Sequence, residues 1–139
     1  MTTARDIMNA GATCVGEDQT LMQAAQMMRD MNVGSLPICG NDKKLHGIIT
    51  DRDIVVKCLA EGMDPNTCTA GQLAQGHLTW VDADTDMTQI VELMGQQQVK
   101  RMPVIEDHML IGMISESDLA RHLDEHDLSR FVERVFAGA

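Results

Sequence analysis

Apolar residues along this chain fall into two helical registers that are copies of each other. Leu21, Ala24, Ala25 and Met28 stand at i, i+3, i+4 and i+7, and Met87, Ile90, Val91 and Met94 repeat the set 66 positions later (Leu21 to Met87). The spacing predicts two amphipathic helices. Thr20 with Gln23 and Asp86 with Gln89 place a capping residue and its reciprocal partner just before each of them. The stretch Val33-Gly34-Ser35-Leu36-Pro37-Ile38 recurs at the same offset as Val99-Lys100-Arg101-Met102-Pro103-Val104. Gly47-Ile48-Ile49-Thr50-Asp51-Arg52-Asp53 recurs as Gly112-Met113-Ile114-Ser115-Glu116-Ser117-Asp118, one residue nearer because a loop position is missing. A duplicated unit of this length predicts two halves that bury their apolar faces against each other, with two related sites across one seam.

Each repeat opens on a short helical prelude, Thr3 to Met8 and Thr69 to Leu73, followed by a brief extended segment around Val15 and around Val81. After the amphipathic helix come two short strands. Leu36-Pro37-Ile38-Cys39 and Met102-Pro103-Val104-Ile105 each carry a proline, which predicts a strand start or a sheet edge because proline lacks a ladder donor. Polar turns at 40–44 and 106–108 lead into Leu45 to Ile49 and Leu110 to Ile114, so both pairs read as hairpins. A second helix starts at Thr50 or Asp51 and is expected to stop at Gly62, and its counterpart starts near Ser115. The fold class is therefore α/β, two pseudo-symmetric strand-helix-strand-strand-helix repeats. The expected division is 1–65 for the first repeat with its linker, 66–123 for the second and 124–139 for a helical tail. That tail carries a further stripe at Leu128, Phe131, Val132 and Val135.

Composition narrows the partners. A net charge of −10 argues against nucleic acid or an anionic membrane surface. No segment reaches membrane-spanning length and the N-terminus lacks a signal-peptide stretch, so a cytoplasmic location is the default expectation. Twelve methionines against two Phe, one Trp and no Tyr predict a core of flexible, polarizable side chains. Four cysteines at 14, 39, 58 and 68 form no C-x-x-C pair, and a reducing cytoplasm implies free thiols. Cys58, four after Ile54, reads as core, while Cys68 in the linker is expected to be exposed. There is no G-x-S-x-G, no H-E-x-x-H and no phosphate-cradling G-x-x-x-x-G-K, and the chain is not read as an enzyme.

The helix ending in Met31-Asn32-Val33, the Leu36-Pro37-Ile38 strand and the Gly-x-x-Thr/Ser-x-x-Asp motifs at Gly47 to Asp53 and Gly112 to Asp118, in fixed order and offset, resemble the CBS domain. Two in tandem resemble the CBS pair called a Bateman module, over about residues 1–123. The resemblance implies two repeats packed sheet to sheet, and a regulatory module that binds AMP, ATP or S-adenosylmethionine in clefts between them. It assigns Asp53 and Asp118 to the ribose hydroxyls and Thr50 and Ser115 to the phosphate. The chemistry agrees: a carboxylate accepts two hydrogen bonds from a vicinal diol, and a hydroxyl at a helix start attracts phosphate. The same residues also fit ligand-free capping boxes, and both readings stand. Asp51 and Glu116 place negative charge beside the phosphate-facing hydroxyls; Arg52 offsets it in the first repeat, where the second has Ser117, so the first is the better phosphate site.

In this fold Cys14 and Cys39 lie on neighbouring strands, where they either pair as a disulfide or fill space as two small buried side chains, the burial habits of Cys favouring the second. His122 and His126 stand at i, i+4 on an expected continuous helix, and His77 from the second prelude is a third candidate ligand for zinc; a solvated helix end explains the same residues. No attached catalytic, channel or transporter domain is expected, so output is expected through a homodimer formed by the helical faces, through a separate protein partner, or through the nucleotide. No cofactor is required. The leading function is a sensor that binds an adenosine derivative. The competing one is a ligand-free interaction or scaffold protein with redox- or zinc-responsive cysteines and histidines.

Overall fold

The computed structural model describes residues 2–74 and 78–137. In chain order the elements are α1 (Ala4–Ile7), β1 (Asn9–Ala10), β2 (Val15–Gly16), α2 (Leu21–Met31), β3 (Ser35–Cys39), β4 (Leu45–Thr50) and α3 (Asp51–Asp53), which runs straight into a π-helical stretch (Ile54–Leu59). A 3-10 turn (Ala70–Leu73) follows, then β5 (Val81–Asp82), α4 (Met87–Gln97), β6 (Arg101–Glu106), β7 (Met109–Ser115), α5 (Glu116–Ala120) and α6 (Glu125–Phe136). The chain is thus mixed α/β with two sheets. Two compact units hold these elements, Met1–Ala12 with Thr79–Ala139, and Thr13–Leu78. Among the described residues, no helix is long and apolar enough to cross a membrane.

In the unit Thr13–Leu78 the sheet order is β2-β3-β4, with β2 parallel to β3 and β3 antiparallel to β4. Leu21, Ala24 and Met28 of α2 are buried, as their spacing predicts, together with Leu36 and Ile38 of β3 and Ile49 of β4. The capping box at Thr20 and Gln23 forms, and α2 ends on Asn32 in the left-handed region at φ 55°. After Thr50 the helix widens into its π-helical stretch, which buries Ile54 and Cys58 and leaves Val55, Val56 and Leu59 outside. Gly62 follows at φ 74°, the conformation that its position after the helix predicts.

In the other unit the sheet order is β1-β7-β6-β5, and the copied strands keep the copied pairing: β5 parallel to β6, β6 antiparallel to β7. Even the register shift recurs, between Ile38 and Cys39 in β3 and between Val104 and Ile105 in β6. Ile90, Met94, Met102, Val104, Ile114 and Leu119 form the core, joined by Phe131 and Val135 of α6. Gly95 of α4 leaves room for the Arg134 guanidinium of α6, since a Cβ there would stand 3.0 Å from the guanidinium carbon.

The preludes sit with the opposite repeat. Thr3 bridges to Asp86, and Thr69 bridges to Thr20. The hydrogen bonds match one for one: Met87 N–H to Thr2 O at 2.9 Å and Ala4 N–H to Thr85 O at 2.9 Å, against Leu21 N–H to Cys68 O at 2.9 Å and Ala70 N–H to Gln19 O at 2.8 Å. Beyond its prelude the first repeat sends β1 onto β7, a strand that no apolar alternation announced. Gly112 is opposite it, where a Cβ would come within 2.9 Å of Asn9 O.

Two features depart from what the sequence pattern predicts. Pro37 and Pro103 lie inside the central strands β3 and β6 and not at an edge or start. The missing donor is tolerated because the two-residue neighbours β2 and β5 begin only beyond each proline, pairing with Ile38–Cys39 and Val104–Ile105. The helix expected to continue through His122 and His126 also breaks: α5 ends at Ala120, and α6 starts afresh with Asp124 as its cap, whose Oδ1 accepts from Asp127 N–H at 2.8 Å.

Candidate ligand-binding site

Each motif sits where a strand turns into a helix, so its hydroxyl residue has extended backbone and its carboxylate lies one turn on. Thr50 (φ −116°) ends β4 and caps α3; Ser115 (φ −105°) ends β7 and caps α5. Both capping boxes form. Thr50 N–H donates to Asp53 Oδ2 at 3.0 Å while Asp53 N–H donates to Thr50 Oγ1 at 3.1 Å, and the Ser115–Asp118 pair repeats this at 2.8 and 3.2 Å. Among the described residues, Asp53 and Asp118 are the two buried charged ones, 8% and 3% exposed, so their remaining partners decide what else they can bind.

Those partners differ. Asp118 Oδ2 also accepts from Ser115 Oγ at 2.9 Å and from Asn9 Nδ2 at 2.9 Å, and its Oδ1 lies 3.5 Å from an Arg121 guanidinium nitrogen. Asp53 Oδ1 meets the half-exposed Lys57 ammonium at 3.2 Å. The Ser115 hydroxyl is held by Asp118 and by Ser117 Oγ at 2.8 Å, whereas the Thr50 hydroxyl has no acceptor for its proton among the described residues. Arg52 is exposed, its N–H donates to Asp51 Oδ1 at 2.8 Å, and its guanidinium forms no ion pair among the described residues. Across from the motifs, Asp51 N–H donates to Gly34 O and Glu116 N–H to Lys100 O. The Lys100 ammonium is spent on the tail, 4.2 Å from the centre of the Phe136 ring.

Lys57 and Arg121 were legible in principle as cations four and three residues after their carboxylates. Asn9 was not, since it lies 109 positions from Asp118. An open groove of about 650 Å³ runs along α4, lined by Trp80, Asp82, Thr88, Gln89, Glu92 and Gln96. It takes in neither motif, and its Asp82 and Glu92 oppose a phosphate.

Cys14 and Cys39 are joined by a disulfide, with Cα atoms 5.7 Å apart. Cys58 is buried as expected. Cys68 is buried too, 8% exposed, which corrects the exposed linker thiol. His122 Nδ1 lies 3.0 Å from Asp118 O, and His126 belongs to the first turn of the separate helix α6. The i, i+4 geometry that would have put both imidazoles on one metal is therefore absent. His77 lies outside the described residues. Among the described residues no group of three His, Cys, Asp or Glu is placed to hold a metal ion, so these residues do not by themselves make a zinc site.

The repeated strand-to-helix motif, twice present with the same pairing, is that of a CBS pair. The CBS domain model matches residues 4–59 and 70–125, and the chain belongs to that family. It is 56% identical over 135 residues to hypoxic response protein 1 of Mycobacterium tuberculosis, covering 97% of this chain and 94% of that protein. Among solved structures it matches a crystal structure of hypoxic response protein I with two coordinated zinc ions, at 57% identity and TM-score 0.82 over 88% of this chain and all of that one. The fold is shared with a protein named CBSX2 in complex with AMP, at 20% identity and TM-score 0.76 over 88% of this chain and 96% of that one.

Proposed function

We propose that this protein is a regulatory CBS pair whose first motif, Thr50, Arg52 and Asp53, binds an adenosine-type ligand such as AMP, ATP or S-adenosylmethionine, while Ser115 and Asp118 serve mainly the fold. The carrying observation is the inequality of the two carboxylates. Asp118 is enclosed by Asn9, Ser115 and Arg121, but Asp53 is met on its second oxygen by Lys57 alone among the described residues, a side chain that a ribose diol can displace. The Thr50 hydroxyl proton and the Arg52 guanidinium are available to a phosphate. The AMP complex of a protein of this fold supports the ligand class. Homodimer formation through the π-helical stretch belongs to the same reading, because Val55 and Leu59, on the helix that follows Asp53, are 55% and 54% exposed. Titration calorimetry with the three ligands tests the proposal. Saturable heat that is lost in Asp53→Ala and kept in a folded Asp118→Ala supports it; absence of heat with every adenosine ligand overturns it in favour of a scaffold.

A second reading, a zinc-responsive interaction protein, draws support from the zinc ions of the 57% identical relative. A second copy of the chain would then have to supply the further ligands that His122 or His126, on separate helical segments, needs to hold an ion. Metal analysis after dialysis tests it: bound zinc that falls in His122→Ala and His126→Ala supports it, and metal-free protein removes it.

A further inference from the structure

All four cysteines belong to the unit Thr13–Leu78, and two of them are left as thiols. Cys58 and Cys68 are 0% and 8% exposed within one apolar cluster that includes Leu21, Ala24 and Ala70. Consecutive turns bring them together. Met63 N–H donates to Cys58 O at 2.9 Å and the Cys58 thiol donates to Met63 O at 3.5 Å. Cys68 N–H then donates to Asp64 O at 3.0 Å, and Leu21 N–H holds Cys68 O at 2.9 Å. The intervening chain thus doubles back and returns residue 68 to the end of the helix that carries residue 58. Burial pushes the Cys58 thiol up, and the neighbouring Cys68 pushes it further. The repeat counterparts of Cys58 and Cys68 are Leu123 and Thr2, so only this unit carries the pair.

We propose that Cys58 and Cys68 form an oxidation site for a small peroxide and close to a second disulfide. Cys68, the more exposed of the two, reacts first. Its thiolate sulfur attacks one peroxide oxygen, the O–O bond breaks, and the departing hydroxide takes up a proton and leaves as water. The Cys68 sulfenic acid then meets Cys58, whose thiol gives up its proton as its sulfur displaces the sulfenic oxygen, which leaves as a second water. Two thiols are oxidised and one peroxide is reduced. A lone buried thiol is a dead end for such chemistry; a second thiol beside it supplies the resolving step.

The test uses the full chain with the Cys14–Cys39 bond intact. It is treated with hydrogen peroxide, unfolded in an alkylating agent, and mapped without reduction after cleavage at Glu61 and Asp64, which separates the two thiols. A linked Cys58–Cys68 peptide pair, lighter by two hydrogens and unalkylated, is expected, together with a sulfenic acid trapped at Cys68 in Cys58→Ala. Alkylation of both thiols after treatment overturns the proposal. So does a link from either to Cys14 or Cys39, or over-oxidation of Cys68 in the unmodified chain. The wild-type map decides the matter even if the variant fails to fold.

Discussion

Asn9 Nδ2 donates to Asp118 Oδ2 at 2.9 Å, across 109 positions of sequence, and this bond helps make the two motif carboxylates unequal. Asn9 arrives on β1, the strand that follows the exchanged prelude. Truncating Asn9 to Ala is expected to cost about 1 kcal/mol, the net worth of one such bond, and truncating Asp118 about 2–3 kcal/mol because it strips the cap and leaves its donors unpaired. Urea unfolding of the two variants measures both, and a fully stable Asp118→Ala would contradict the structural role given to that residue.

The apolar face beyond Asp53 is expected to hold two copies together. Replacing Val55 and Leu59, both more than half exposed, with Asp should leave the far-ultraviolet circular dichroism unchanged. Light scattering coupled to gel filtration should then report the mass of one chain where the wild type gives two. An unchanged mass would move the interface elsewhere.

Reduction of Cys14–Cys39, which closes a separation of 25 residues, should destabilise the protein by about 3 kcal/mol. The check is the urea midpoint with and without a reductant, compared with the Cys14→Ala, Cys39→Ala variant, whose midpoint should no longer respond.

Acid should loosen the prelude. Hydrogen bonds from the Thr88 side chain and then its backbone hold the Asp86 carboxyl below its ordinary value, and those of the Thr3 backbone and side chain do the same for Asp6. A carboxylate depressed in the folded state contributes stability that is present above its unfolded value, about 3.9, and is lost as pH falls through the lower folded value. The melting temperature should therefore drop below about pH 4, and more shallowly in Asp86→Asn. Equal acid slopes for wild type and variant would refute this contribution.

Phe131 anchors α6 and is 2% exposed. Phe131→Ala should cost about 3–4 kcal/mol and speed proteolysis at the tail before the sheet is attacked, which limited digestion followed by mass spectrometry can show.

Much of the fold was legible because it is written in neighbours. Thr20 with Gln23, Thr50 with Asp53 and Ser115 with Asp118 form their capping boxes as spaced, and Leu21, Ala24 and Met28 bury the face that their period defines. The Gly-x-x-Thr/Ser-x-x-Asp motifs lie at the strand-to-helix turns that the copied pattern marks. The departures came from distant chain in one case and from a local cap hidden by another pattern in the other. The prolines of β3 and β6 are tolerated by the shortness of β2 and β5, and the helix through His122 is cut by a cap at Asp124 that the i, i+4 spacing of two histidines hides.

What the sequence determined by itself is the duplication, the strand-helix-strand-strand-helix order that each repeat shares and the chemistry of each motif, because hydrogen bonds and side-chain periodicity within a turn or two depend only on adjacent residues. Tertiary structure alone decided which motif carboxylate is enclosed and which is left to Lys57, which cysteines meet, and that each prelude docks on the opposite repeat. Those outcomes depend on the order of strands in a sheet and on the path of connections between them. Two copies of one local pattern fix neither.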